Sequence, residues 1–151
     1  MKVVFLLGSE TDKEWASKIQ KELDAWKIEY VLHVASAHKV PEKVFELVSN
    51  YNASDEKIVY VTIAGRSNGL SGVTAANAIH PVIACPPFAD KSDMMVNLNS
   101  TMQMPSDTPV LTVLDPKNVA AACARIFGLV SDEMRATVDA RIKTIKNSFK
   151  V

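Results

Sequence analysis

Three short polar stretches in this 151-residue chain carry side chains suited to a phosphorylated, hydroxyl-bearing small molecule. The first is Gly8-Ser9-Glu10-Thr11-Asp12. A glycine lets the backbone approach a ligand, and the start of a following helix offers free N–H groups to an anion. Ser9 can bond a phosphate or ribose oxygen, and Asp12 can accept from ribose hydroxyls. The same residues also suit a plain helix N-cap, so this stretch alone does not separate ligand from cap. It is not the GxGxxG fingerprint of a dinucleotide site.

The second stretch is Ala35-Ser36-Ala37-His38-Lys39-Val40-Pro41. Ser36, Ala37 and their small neighbour leave room for a ligand. Ser36 offers a neutral donor and Lys39 a point charge to a phosphate. His38 lies between them and can exchange a proton near neutral pH. His33 and His80 lie within or beside apolar runs and read as structural.

The third stretch is Ala64-Gly65-Arg66-Ser67-Asn68-Gly69-Leu70-Ser71-Gly72, with three glycines in its last eight residues. Such spacing demands tight backbone geometry. Ser67, Asn68 and Ser71 supply neutral donors and acceptors, Gly69 supplies close approach, and Arg66 is either an ion-pair anchor or an anion contact. A plain turn would need fewer special residues.

These stretches require elements that bring them together. Lys2–Leu7 is short, apolar and β-branched, which predicts a strand. Thr11–Trp26 repeats apolar residues at helical spacing, through Trp15, Ile19, Leu23 and Trp26. Strands are then expected at Glu29–Ala35, Lys57–Ala64, Pro81–Cys85 and Pro109–Leu114. Helices are expected at Pro41–Tyr51, Leu70–Ile79, Asp93–Thr101 and Lys117–Phe127. Apolar strands alternating with helices imply an α/β fold, a three-layer, doubly wound parallel sheet covered on both faces. Each polar stretch then falls at a strand's carboxyl end, where such sheets bind ligands. A last helix is expected at Ser131–Phe149, with Ser131 and Asp132 at its cap and Met134, Val138, Ile142, Ile145 and Phe149 in one stripe. That stripe must cover either its own domain or a neighbouring subunit.

Composition narrows the function classes. Residues 1–151 read as a single domain, with no visible boundary or repeat. Seventeen Lys and Arg balance seventeen Asp and Glu, which gives no basic excess for nucleic acid or a membrane surface. The apolar start, Met1 to Leu7, is too short for an export signal and runs into a polar loop. No apolar stretch reaches spanning length. Cys85 and Cys123 form no CxxC pair and read as buried packing, so no metal or redox site is expected. A cytoplasmic location fits.

Taken in order and spacing, Gly8-Ser9-x-x-Asp12, Ser36-Ala37-His38-Lys39 and Ala64-Gly65-Arg66-Ser67-Asn68-Gly69-Leu70 form a recognisable series. Pro81-Val82-Ile83-Ala84-Cys85-Pro86-Pro87 and Gln103-Met104-Pro105 continue it. The chain, from Met1 to about Leu129, resembles the aminoimidazole ribonucleotide carboxylase and mutase family of purine biosynthesis. The mutase branch usually carries arginine in place of Lys39 and a second histidine near Gly69. This sequence lacks both and resembles the carboxylase branch, which uses carbon dioxide directly. Gln103-Met104-Pro105 is also at home in the mutase branch, so the choice rests on the second and third loops.

The resemblance implies a flavodoxin-like fold with the additional C-terminal helix, and assembly into homo-tetramers or homo-octamers. It implies active sites completed by neighbouring subunits and reversible carboxylation of aminoimidazole ribonucleotide without biotin, ATP, metal or other cofactor. His38 is then the expected proton carrier. Ser9, Ser36 and Lys39 are expected to hold phosphate, and Asp12 the ribose. The residues from Ser67 through Ser71 are expected to hold carbon dioxide or the new carboxylate, and Arg66 is expected among the substrate-binding residues. The alternatives are a carboxyaminoimidazole ribonucleotide mutase and, more remotely, a non-catalytic flavodoxin-like nucleotide- or flavin-binding module. A phosphoacceptor domain is disfavoured, because strand three ends in Ile63-Ala64-Gly65 rather than in an aspartate.

Overall fold

The strands form because their apolar runs are bounded by turn residues, and they assemble as one parallel sheet. In the computed structural model, which describes residues 1–149, the strands are β1 (Lys2–Leu7), β2 (Glu29–Val34), β3 (Ile58–Ile63), β4 (Val82–Ala84) and β5 (Leu111–Thr112). Their order is β2-β1-β3-β4-β5, with every neighbouring pair parallel. This is the flavodoxin-like arrangement, in which the chain leaves β1 to one side and returns to the other.

The helices are α1 (Lys13–Trp26), α2 (Pro41–Asn52), α3 (Gly69–Asn77), α4 (Lys91–Met102), α5 (Pro116–Phe127) and α6 (Asp132–Ser148). Alternate residues of β1 point to opposite faces, as the pleat requires. Val3, Phe5 and Leu7 join Ile19 and Leu23 of α1 and Cys123 and Phe127 of α5. Val4 and Leu6 join Val44 and Val48 of α2 and Leu70 and Ala75 of α3. α1, α2 and α5 bury apolar stripes against these faces, and such burial is the chief contribution to stability, at about 25 cal/mol per Å² of apolar surface removed from water.

The expected elements are all present, with shifted ends. A 3-10 turn, Glu10–Asp12, precedes α1, which begins at Lys13. The expected strand Pro109–Leu114 shrinks to Leu111–Thr112: it is an edge strand facing the three residues of β4, and Pro109 has no N–H to donate. One further bond, from Val113 N–H to Ala84 O at 3.0 Å, extends the pairing beyond it. Asp90 caps α4 by accepting from Asp93 N–H, and Asp115 caps α5 by accepting from Asn118 N–H.

The terminal helix answers half of the question posed by its stripe. Ser131 caps it, accepting from Met134 N–H at 3.2 Å. Val138 is buried in the core of its own domain, with Met134 and Ile142 against it. Arg141 lies over the Trp26 ring at 4.6 Å. Ile145 and Phe149 remain exposed. Both cysteines are buried and free. Burial pushes the Cys85 thiol up to about 11 and that of Cys123 up to about 12, so neither is a thiolate at neutral pH.

Candidate functional site

Because β2, β1 and β3 are neighbours, the loops that follow them converge at one end of the sheet. They line a cleft of about 770 Å³ together with the loop after β4. The first three loops contribute Ser9 and Asp12, Ser36 to Lys39, and Gly65 to Ser67 respectively. A volume of this size suits a mononucleotide rather than a larger cofactor pair.

At the end of β1, the Asp12 carboxylate accepts from Ser9 N–H at 2.9 Å and Ser9 Oγ at 3.0 Å. Ser9 Oγ is also 2.7 Å from Thr11 Oγ1. Burial raises the Asp12 carboxyl above the ordinary range, and the bonds from Ser9 pull it back. The loop is therefore both a helix start and a cleft wall, and the two readings of its sequence are compatible.

At the end of β2, a tight turn forms as Ser36 O accepts from Lys39 N–H at 3.2 Å and Val40 N–H at 2.9 Å. The turn presents His38 and Lys39, both exposed, to the cleft. The His38 imidazole reaches over the start of α3. A Cβ placed on Gly69 would lie 2.9 Å from His38 Nε2 and 3.1 Å from Cε1. Gly69 is thus needed for close approach, and a larger residue there would displace the imidazole.

The third loop divides into a lining and a floor. Gly65, Arg66 and Ser67 line the cleft. Asn68 and Ser71 lie beneath it, buried. Asn68 caps α3, its Oδ1 accepting from Ser71 N–H at 3.2 Å and Ser71 Oγ at 2.9 Å. Ser71 Oγ is 2.7 Å from Thr62 Oγ1. The residues proposed for this site thus separate into Ser9, Asp12, Ser36, Ala37, His38, Lys39, Arg66 and Ser67 in the lining, Gly69 against His38, and Asn68 and Ser71 as internal supports.

Several cleft residues carried no functional signal in the sequence, among them Trp15, Lys18, Phe88 and Asn97. Trp15, expected only to pack α1, also lines the cleft. It donates from Nε1 to Cys85 Sγ at 3.3 Å and rests against Phe88, with ring centroids 4.8 Å apart. Lys18 Nζ is 4.3 Å from the centroid of the Trp15 ring, a cation–π contact. Asn97 of α4 also lines the cleft. The separation of α1, the β4–α4 loop and α4 in sequence hides this convergence. His33 and His80 lie outside the cleft lining, and His33 Nε2 is 3.0 Å from Tyr51 OH. Among the described residues, no group of three or more His, Cys, Asp or Glu side chains is arranged to hold a metal ion, and no helix is long and apolar enough to cross a membrane.

Comparison with known proteins gives a consistent picture. The family model described as AIR carboxylase matches residues 2–148. A phosphoribosylaminoimidazole carboxylase from Archaeoglobus fulgidus is 43% identical over 138 residues, covering 91% of this chain and 75% of that protein. A protein of the same name from Treponema denticola is 42% identical over 136 residues, covering 90% of this chain and 85% of the relative. The crystal structure of Treponema denticola PurE superposes with a TM-score of 0.91 at 38% identity, covering 97% of this chain and 92% of that one.

Proposed function

The chain belongs to the AIR carboxylase family, and from that premise we propose that its cleft joins carbon dioxide to carbon four of 5-aminoimidazole ribonucleotide, reversibly, in purine biosynthesis. The product is 4-carboxy-5-aminoimidazole ribonucleotide. The observation that carries the reading is the placement of His38, a proton-exchanging side chain, between phosphate-suited groups and the start of α3 in a single cleft.

The chemistry follows from the substrate. Its exocyclic amine conjugates to carbon four and makes that carbon an enamine-like nucleophile. Attack on carbon dioxide forms the new C–C bond, and one C=O π pair becomes the carboxylate charge. Carbon four still carries its hydrogen. His38 accepts that proton, the C–H pair returns to the ring, and aromaticity is restored. In the reverse direction, protonated His38 delivers the proton and the C–C bond breaks as carbon dioxide departs. No cofactor is required by this balance, provided that the gas is held in place.

Ser9, Ser36 and Lys39 bind the phosphate, and Asp12 accepts from the ribose hydroxyls. Binding energy from this remote end fixes the ring at the reacting centre. Arg66, Ser67 and the N-terminal turn of α3 face the developing carboxylate, where donors aimed in advance stabilise new charge. Asn68 and Ser71 act beneath that turn by holding it.

Assembly into a homo-tetramer or homo-octamer, with sites shared between subunits, is part of the same reading, as is a cytoplasmic location. Support for assembly comes from uncovered apolar surface. A second groove of about 450 Å³ is lined by Leu98, Met102, Met104, Pro105 and Val110. Met102, Leu111, Ile145 and Phe149 are exposed.

The deciding experiment uses labelled bicarbonate with unlabelled substrates. Label from the medium enters the product carboxylate when aminoimidazole ribonucleotide is carboxylated directly. Rapid conversion of the carbamate isomer without entry of label would instead make this chain a mutase.

A further inference from the structure

Asn97 has no counterpart in the reading of the site given above. It lies on α4, is 3% exposed, and is a polar side chain inside the wall of the cleft. Its amide is bonded at both ends to the backbone of two different cleft loops. Oδ1 accepts from Arg66 N–H. Nδ2 donates to Pro87 O at 2.8 Å. Space for this amide exists because residue 65 is glycine: a Cβ there would lie 3.3 Å from both Asn97 Oδ1 and Nδ2.

Arg66 provides an independent observation. Its φ is +52°, in the left-handed region that side-chain-bearing residues rarely occupy. Such a conformation costs on the order of 1–3 kcal/mol and persists only when its surroundings impose it. The bond from Arg66 N–H to Asn97 is the side-chain contact at that backbone. The next turn of α4 continues the same contact: Ser100 Oγ accepts from Asn68 N–H at 2.7 Å, and Thr101 Oγ1 accepts from Asn68 Nδ2 at 2.9 Å.

We infer that Asn97 is a positioning residue for the carboxylation step. It holds Arg66 in its left-handed conformation and ties the β3–α3 loop to the β4–α4 loop, so that the groups facing the carboxylate are set before substrate arrives. The inference rests on the carboxylase reading of this cleft. Asn97 acts through the loop backbone and does not touch the reacting atoms.

The test compares Asn97→Ala, Asn97→Asp and Val59→Ala with the full-length wild-type chain. Misplacing reacting groups by about 1 Å costs on the order of a hundredfold. Turnover of Asn97→Ala is therefore expected to fall about ten- to a hundredfold, with a smaller change in KM for the nucleotide. Asn97→Asp keeps an oxygen facing Arg66 N–H but sets its other oxygen, in place of the donating Nδ2, against Pro87 O; it is expected to protect the Arg66 amide better than Asn97→Ala does, without recovering full turnover. Val59→Ala opens a core cavity remote from the cleft. It is expected to lower Tm at least as much as Asn97→Ala while leaving turnover within about twofold.

Hydrogen exchange at the Arg66 amide provides a readout that needs no catalysis, and it should accelerate at least about tenfold in Asn97→Ala. The inference is overturned if Asn97→Ala keeps turnover within about twofold of wild type. It is likewise overturned if the Arg66 amide exchanges at the wild-type rate in Asn97→Ala. An inactive wild-type chain would remove the carboxylase reading, and the Arg66 amide would still decide whether the clamp exists.

Discussion

Gly69→Ala separates the chemistry of this cleft from its stability. Gly69 begins α3, and no glycine among the described residues has a positive φ. Its backbone therefore accepts alanine, which should stabilise the helix by about 0.4–1 kcal/mol through the unfolded chain. For a chain of this size that corresponds to a rise in Tm of roughly 1–4 °C. The new methyl, however, would stand 2.9 Å from His38 Nε2 and 3.1 Å from Cε1, where ordinary contact begins near 3.4 Å. The imidazole must withdraw by about 0.5 Å, and it can do so at little cost because His38 is an exposed side chain. If about 1 Å of misplacement costs roughly a hundredfold, half of that costs roughly tenfold. The expected variant is as stable as wild type or more so, about tenfold slower at saturating substrate, and little changed in KM. Calorimetry and steady-state carboxylation at saturating bicarbonate measure these quantities. Turnover within twofold of wild type would show that the position of the His38 ring does not limit the reaction. A fall in Tm of several degrees would show that the methyl meets something rigid and that the geometric argument is wrong.

Other substitutions test other parts of the reading. His38→Asn should leave Tm and nucleotide binding nearly unchanged and lower turnover by about a hundred- to ten-thousandfold; a loss of only a few-fold assigns the proton elsewhere. Lys39→Ala should raise KM more than it lowers turnover, because a phosphate contact is nearly equal in ground and transition states; collapsed turnover at unchanged KM would place Lys39 in the chemistry. Burial and then the charge of Lys43 lower the pKa of His33 below the ordinary 6.5, so the folded state binds fewer protons there than the unfolded chain. Stability from His33 is present above about 6.5 and is lost as pH falls toward the folded value, so His33→Gln should shrink the drop in Tm between about pH 7 and pH 5. An unchanged drop would mean that other groups carry the acid sensitivity.

The fold was legible because its signals are local. β1 and β3 are continuous apolar runs, and α1 and α5 carry buried stripes at helical spacing. The cleft was legible in three of its four walls for the same reason: each polar loop follows a strand whose end could be read directly. The fourth wall was not, because the loop after β4 is apolar at Pro87 and Phe88 and shows no chemistry until Trp15 packs against it. α4 was hard to read because it inverts the usual pattern. Its buried residues are Asn97 and Thr101, four apart and both polar, so an apolar stripe was the wrong thing to seek. Asn68 and Ser71 show a different ambiguity. Their residue types fit ligand contacts and cap contacts equally well, and only the start of α3 at Gly69 separates the two roles.

The separation of charge in this cleft bears on a reaction that must run both ways. The buried polar side chains beneath it, Thr62, Asn68, Ser71, Asn97 and Thr101, are all neutral. The cations, Lys18, Lys39 and Arg66, are exposed. A buried cation beside the reacting centre would carry a desolvation cost of several kcal/mol before substrate arrived. Once carbon dioxide had become a carboxylate, the same cation would hold that anion with an attraction unscreened by water. Both effects would tilt the equilibrium toward a retained product. Oriented neutral dipoles stabilise the developing charge without a full counter-charge behind it. On the proposed reading the exposed Arg66 guanidinium would act where water weakens its pull, while its N–H is bonded to Asn97. The neutral floor beneath α3 and the strained, clamped backbone of Arg66 are thus two parts of one solution. Around α3 the donor positions are fixed by hydrogen bonds between uncharged groups, and cationic charge is left at the rim, an arrangement that suits a carboxylate both formed and released.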